Sequence, residues 1–302
     1  MILVIGSTGT VGSEIVRQAR EVGADVRALV RSEEKGAEAK AAGAELALGD
    51  CSDPASLDAA LEGVDHLFIV LPAAPDQVAL ETSAIDAAQR NGGAHVVKLS
   101  VIGADPDSPI RFSAAHGEVK QALAESGLPH TLLRPTDFMQ NAFSWAGTLR
   151  SGQVYSPTPD APIASIDARD IAAVAVVALT EPGHEGKTYE LTGPEALTRR
   201  EQVSRLSAAA GLDTEVVAIT DEQAREAMVG AGVPEYAADG LIELNVHVYQ
   251  PGYGGATAGG VREATGREPR SFDDFARDYA GVLAPPRPLF AGGVRLGGSP
   301  AA

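Results

Sequence analysis

His116-Gly-Glu-Val-Lys120 sets an imidazole and an amine four residues apart, which on a helix puts both on one face. An imidazole gives up or takes a proton near neutral pH, so the pair has the makings of an acid/base site. Ser100, at the end of the apolar run 95–100, would add a hydroxyl to the same pocket. The plainer reading leaves His116 packing the helix start after Ala114-Ala115 and Lys120 as a solvated charge. Further on, Pro135 ends a predicted strand, and Phe138, Met139 and Asn141 follow it. Phe138 and Met139 suit an apolar wall for a planar molecule, and Asn141 suits a donor to a carbonyl. Taken singly, Phe138 and Met139 read equally well as core and Asn141 as the cap of a helix running through Leu149; as a group they read as a pocket.

The start of the chain offers a place for a reductant. Residues 2–5 are an unbroken apolar run that suits a strand buried on both faces, and Val11, Ile15, Val16 and Ala19 then recur at helical spacing. Between them lies Gly6-Ser7-Thr8-Gly9-Thr10-Val11-Gly12, a loop that would turn backbone N–H groups and a helix N-terminus toward one point, as a pyrophosphate requires. The glycine spacing is one residue longer than the usual dinucleotide fingerprint. Its position after a strand and at the opening of a helix is what supports the reading. The next strand, 25–30, ends at Arg31 with Ser32 and Lys35 close behind, where a chain that selects NAD carries a carboxylate. Two cations and a hydroxyl fit a 2′-phosphate, so NADP(H) is the expected cofactor. The alternative makes Arg31 and Lys35 surface charges offset by Glu33 and Glu34. Asp50 and Cys51 follow a third strand where adenine would lie, Asp50 serving as acceptor or as a turn cap. Leu71 and Pro72 close a fourth strand beside the expected nicotinamide ribose.

The elements that must position these residues alternate. Strands at 45–48, 66–71, 95–100 and 129–135 are separated by helices at 33–42, 54–61 and 76–91, and by the helix bearing His116. That alternation predicts an α/β fold, a doubly wound parallel Rossmann sheet with its ligand at the carboxyl ends of the strands. A smaller, mostly helical C-terminal substrate lobe is expected to follow. Its helices are predicted at 171–179 and 198–210 and as a pair within 222–247, with strands at 187–191, returning to the sheet, and at 212–219. The division is then 1–155 for the cofactor domain, 156–283 for the lobe and 284–302 for a disordered tail rich in Pro and Gly. The run 251–260, rich in glycine, reads as a flexible loop that closes over a ligand, or as a linker.

A net charge of -17 disfavours nucleic acid and anionic membranes as partners. The single cysteine excludes a disulfide framework and a multi-cysteine metal site, and no metal is expected. No signal sequence precedes the first strand and no apolar run nears the ~20 residues that span a bilayer, so a cytoplasmic monomer or homodimer is expected.

Short-chain dehydrogenases normally carry a Tyr-x-x-x-Lys pair, yet none of the six tyrosines here has a lysine four residues later. The loop from Gly6 to Gly12 with Leu29-Val-Arg31, the His116-x-x-x-Lys120 helix, and Leu132-Leu-Arg-Pro135 with Phe138-Met139-x-Asn141 nevertheless form a set, together with Asp167-Ala-Arg169-Asp-Ile-Ala172, Thr192-Gly-Pro-Glu-Ala-Leu197 and Thr265-Gly-Arg-Glu-Pro-Arg-Ser-Phe272. This set resembles the NmrA-like family of atypical short-chain dehydrogenase/reductases, which includes NADPH-dependent quinone reductases and redox-sensing regulators. The resemblance implies that the Gly6–Gly12 loop holds the pyrophosphate and Arg31 the 2′-phosphate. It places Leu71, Pro72 and Ser100 on the nicotinamide side, Pro135 to Asn141 by nicotinamide and substrate, and Arg169 within reach of the cofactor. It implies a histidine at position 116, as in quinone-reductase-like members, but Lys120 stands where those often carry glutamate. The lobe would cover the pocket, with Met228, Tyr236, Leu244 and Tyr249 as wall residues or core.

The expected activity is transfer of a hydride from NADPH to a quinone or another conjugated electrophile, probed by a pocket for a planar, apolar small molecule. A non-catalytic redox sensor and a tailoring reductase of secondary metabolism are the alternatives. The absent Tyr-x-x-x-Lys pair favours the sensor, and the Phe138–Asn141 wall favours an enzyme.

Overall fold

Along Ile2–Ile5 (β1) the side chains divide strictly by turns, Ile2 and Val4 entering one core and Leu3 and Ile5 the other. A strand apolar on both faces belongs inside a parallel sheet with helices on either side. This is a computed structural model, and it describes residues 1–283. The further strands are Val26–Val30 (β2), Glu45–Leu48 (β3), His66–Ile69 (β4), His95–Leu99 (β5), His130–Pro135 (β6), Gln153–Ser156 (β7), Thr188–Leu191 (β8) and Glu215–Ala218 (β9). Seven of them form one sheet in the order β3-β2-β1-β4-β5-β6-β8, every neighbouring pair parallel. β7 and β9 pair in parallel apart from it.

The helices are Thr10–Glu21 (α1), Ala37–Ala41 (α2), Pro54–Leu61 (α3), Gln77–Arg90 (α4), Arg111–Glu125 (α5), Ala146–Arg150 (α6), Ala168–Thr180 (α7), Arg199–Ala210 (α8), Asp221–Gly230 (α9), Glu235–Leu244 (α10), Gly260–Thr265 (α11) and Phe272–Leu283 (α12). α1 and α7 cover one face of the large sheet, and α3, α4 and α5 the other. A third core joins α6, β7, α8, β9 and α12 around Phe272 and Phe275. No helix among the described residues is long and apolar enough to cross a membrane.

Chain order reverses at β1, which pairs with β2 on one side and β4 on the other. The helices leaving β1 and β4 therefore part to opposite faces, and a crevice opens at the carboxyl ends of these strands.

Three local expectations are corrected. The helix expected over 33–42 is confined to α2, because Ser32 to Gly36 closes as turns, with Gly36 N donating to the carbonyls of Ser32 and Glu33. The helix expected through Leu149 begins as a 3₁₀ segment, Met139–Trp145, before α6. The 251–260 loop is tied down at several points: Ala164 N donates to Gly254 O, Ala258 N donates to Thr192 Oγ1, and a Cβ on Gly260 would lie 2.3 Å from Glu190 O. It is a packed connection to α11. β7, α11 and α12 were not anticipated. β7 is only Gln-Val-Tyr-Ser, too short to show a period, and its partner β9 lies some sixty residues away in the chain. The tail expected to be disordered, 284–302, lies outside the described residues.

Candidate functional site

The glycines of the first loop fall into two kinds. Gly6 has φ +82°, and a Cβ there would lie 2.2 Å from Val70 O. A Cβ on Gly12 would lie 2.1 Å from Gly6 O, so α1 packs directly on the loop. Both are glycine because the fold leaves no room. Gly9 is different: its φ of -86° and ψ of 172° suit any residue, and a Cβ would meet only Gly6 O, at 3.4 Å. Nothing within the protein demands a glycine there. No side chain caps α1 either, and its first turn holds no acidic residue. A bare helix N-terminus with unpartnered N–H groups and a clear approach is what a phosphate group needs.

These features open onto a cleft of about 850 Å³ at the chain reversal, within the size range of cofactor sites. Of the residues expected to hold the cofactor, Gly6, Thr8, Gly9, Thr10, Val11, Gly12, Arg31, Lys35, Asp50, Cys51, Leu71 and Pro72 line it, as does Phe138 from the substrate set. Arg31 is held only loosely, its Nε 3.9 Å from Asp50 Oδ2, and its side chain is largely exposed. Lys35 is exposed as well. Asp50 also caps a turn, Oδ1 accepting from Ser52 N and Oγ, and those bonds hold its carboxyl below the ordinary value. Burial pushes the Cys51 thiol up to about 12, so it stays protonated and inert.

Other expected residues lie elsewhere. Ser7 turns its hydroxyl away from the cleft to Leu29 O. Arg169 is committed: both oxygens of Asp167 and one of Asp278 take its guanidinium, which lies 5.2 Å over the Tyr279 ring. It fastens α7 to α12 and is not free to reach a cofactor, which corrects that expectation. Met139 is buried in the third core and is no wall residue. Asn141 is exposed and donates through Nδ2 to Asp137 Oδ1 at 2.7 Å. Tyr249 packs against Gly254, and burial, with Asp137 nearby, pushes its hydroxyl above the ordinary value. Pro135 is buried at the end of β6. Ser100 follows β5 with a buried hydroxyl that has no partner among the described residues.

His116 and Lys120 do share α5, but no hydrogen bond joins them. The histidine's partner is Lys98, from the middle of β5. Val97 and Leu99 face the α1/α7 core, so by alternation Val96 and Lys98 face α4 and α5. Lys98 is 1% exposed; its Nζ lies 3.1 Å from Oε2 of the fully buried Glu81 and 3.3 Å from His116 Nδ1, and also donates to Leu99 O. Glu81 Oε1 accepts from the Leu71 N–H at 3.2 Å. One turn earlier on α4, Gln77 lines the cleft with a buried amide that has no partner at either end. Buried polar groups in folded proteins are normally bonded, so the free amide of Gln77 marks where a ligand with its own donors and acceptors fits, whereas Ser100 is not among the residues that line the cleft. Gln77, Glu81 and Lys98 were missed from the sequence. The available signals were a lysine inside the apolar run 95–100 and two polar residues at i and i+4 on the buried stripe of α4.

The NmrA-like family model matches residues 1–275. The chain belongs to that family. Among relatives, it is 46% identical over 284 residues to an NAD(P)H azoreductase of Xenophilus azovorans, covering 94% of this chain and 99% of that one. It is 38% identical over 289 residues to a (4-alkanoyl-5-oxo-2,5-dihydrofuran-3-yl)methyl phosphate reductase of Streptomyces griseus, covering 94% and 100%. Among solved structures, an NADPH-dependent quinone oxidoreductase of Escherichia coli complexed with NADPH superposes with a TM-score of 0.82 at 26% identity, covering 92% and 99%. The NmrA-like chain thus has its family's sheet, with the chain reversal and its glycine loop at the point where the crevice opens.

Proposed function

We propose that this NmrA-like protein is an NADPH-dependent reductase whose acceptor is a quinone, an azo compound or another conjugated carbonyl. The observation that carries the reading is the continuity of one cleft: it runs from Arg31 and Lys35, past the bare N-terminus of α1, to Leu99 and Phe138. Its relatives reduce an azo compound, a quinone and an unsaturated lactone phosphate by name. The three acceptors share a conjugated π system that takes up a hydride readily.

NADPH, when bound, supplies the hydride at the nicotinamide C4. Gly9 and the first N–H groups of α1 would bind the pyrophosphate, and Arg31 with Lys35 the 2′-phosphate. Gln77 would bond polar groups toward the nicotinamide. Phe138 offers a planar acceptor an apolar face and excludes water from it. The protein's share of catalysis is then chiefly orientation within a dry pocket, which for well-aligned reactants is worth about 7–11 kcal/mol. NADPH deuterated at the nicotinamide C4 tests this directly. Deuterium should appear on carbon of a reduced enone acceptor; label found only in solvent would reject hydride transfer.

A further inference from the structure

The trio of Glu81, Lys98 and His116 is costly to the fold and is not explained by packing. Glu81 and Lys98 are a buried ion pair at 3.1 Å, and such pairs seldom repay their desolvation against apolar residues of the same size. Yet both ends of this pair are wired to the cleft wall, Glu81 to the N–H of Leu71 and Lys98 to the carbonyl of Leu99, both lining residues. The third contact of the ammonium is His116 Nδ1 at 3.3 Å. An ammonium has only protons to offer, so Nδ1 accepts and the ring proton is assigned to Nε2.

We propose that Lys98, anchored by Glu81, is a positioning residue that holds His116 as a neutral imidazole, with its Nε2–H free to donate to the acceptor's oxygen or nitrogen. This rests on the reductase reading above and deepens it. His116 is then a hydrogen-bond donor and not the general acid. In the step it serves, the acceptor gains a C–H, O–H or N–H bond from the hydride of NADPH, which is oxidised. The acceptor's π pair moves to the distal oxygen or nitrogen, which carries the negative charge against Nε2–H, and water supplies the proton that completes the reduction. A neutral imidazole can stabilise such charge as a preorganised donor.

The electrostatics agree. Burial first, and the Lys98 charge second, hold His116 well below its ordinary value. The charged groups around the ring are Lys98 on β5 with Glu81 behind it on α4. On its own helix, Arg111 is paired with Glu243 and Asp239 of α10, and Lys120 lies one turn further on. Among the described residues, no carboxylate is bonded to the imidazole to favour its cation.

The test is imidazole nitrogen NMR on the whole protein without substrate, with the His116 signal assigned by its loss in His116→Gln, alongside pH profiles of kcat/KM with menadione. The wild type should show Nδ1 unprotonated, Nε2 protonated and no titration through about pH 6.5, where a free histidine titrates. The double variant Glu81→Gln/Lys98→Met removes both charges together and so avoids stranding one of them. In it Nδ1 loses its donor, so the ring proton should no longer be confined to Nε2, any titration of His116 should move upward, burial still opposing it, and kcat/KM should fall about tenfold, the scale on which partners that orient a histidine act. A wild-type His116 that titrates near 6.5, or that carries its proton on Nδ1, overturns the proposal. So does a double variant with unchanged tautomer and profile. The NMR arm needs no turnover: the expected spectrum without menadione reduction would leave Lys98 as assigned and count against the reductase reading alone.

Discussion

Around the N-terminus of α1 the cleft offers backbone, and behind its wall at Leu71 and Leu99 lie buried side chains. Gly6, Gly9 and Gly12 sit within seven consecutive residues, and what they present is the N-terminus of α1. Glu81, Lys98 and His116 come from three separate elements and meet only because β5 lies under α4 and α5. The first kind of site tolerates many side chains around it but no added Cβ at its close contacts. The second tolerates no unbalanced charge. The two regions should therefore fail in different ways when they are altered.

The largest effect is expected at the buried pair. Lys98→Met strands the Glu81 carboxylate and should cost about 3–5 kcal/mol in chemical denaturation. Adding Glu81→Gln should recover most of it; a double variant no more stable than the single one would show that packing, and not charge balance, sets the cost. In the other region, Gly12→Ala forces a Cβ toward Gly6 O and should cost about 1–3 kcal/mol while weakening NADPH binding. Gly9→Ala should leave stability within about 0.5 kcal/mol, since it clashes with nothing in the protein, yet still lower NADPH affinity by calorimetry. Equal losses of stability at the two positions would remove the distinction drawn between them.

Arg31→Asp should reduce the preference for NADPH over NADH by about 10- to 100-fold, the loss of one charge-assisted hydrogen bond of about 1.5–3 kcal/mol. Unchanged discrimination would take the 2′-phosphate away from Arg31. The smallest effect is on pH dependence. His116 is held below its ordinary value in the folded chain, so the unfolded chain binds its proton at the higher pH. The contribution to stability is complete above about pH 6.5 and is lost as pH falls toward the folded value. Between about pH 7 and pH 5 the wild type should lose more stability than His116→Gln; parallel curves would mean that His116 is not held neutral.

This contrast also explains what was legible in the sequence. The alternation of strands and helices, the glycine loop and the position of Arg31 at a strand end are local patterns, in which a strand, a turn and a helix follow one another and their consequence can be read off directly. Thr198 with Glu201 likewise marks a helix start, and the structure has that capping box. The partner of His116 was not local. Lys120 was the neighbour at helical spacing, but a lysine eighteen residues earlier, on a strand, is the one that reaches Nδ1. Arg169 was misplaced for the same reason: Asp278, which draws it to α12, is more than a hundred residues away. Met139 was indistinguishable from a pocket wall until the third core formed around it.

The most direct measurement is NADPH oxidation, followed by absorbance, with menadione and with methyl red against an acceptor-free control. Acceptor-dependent oxidation, faster with NADPH than with NADH, is the predicted result. NADPH bound tightly by calorimetry but oxidised with neither acceptor would contradict it, and would describe a protein that senses the cofactor without using it.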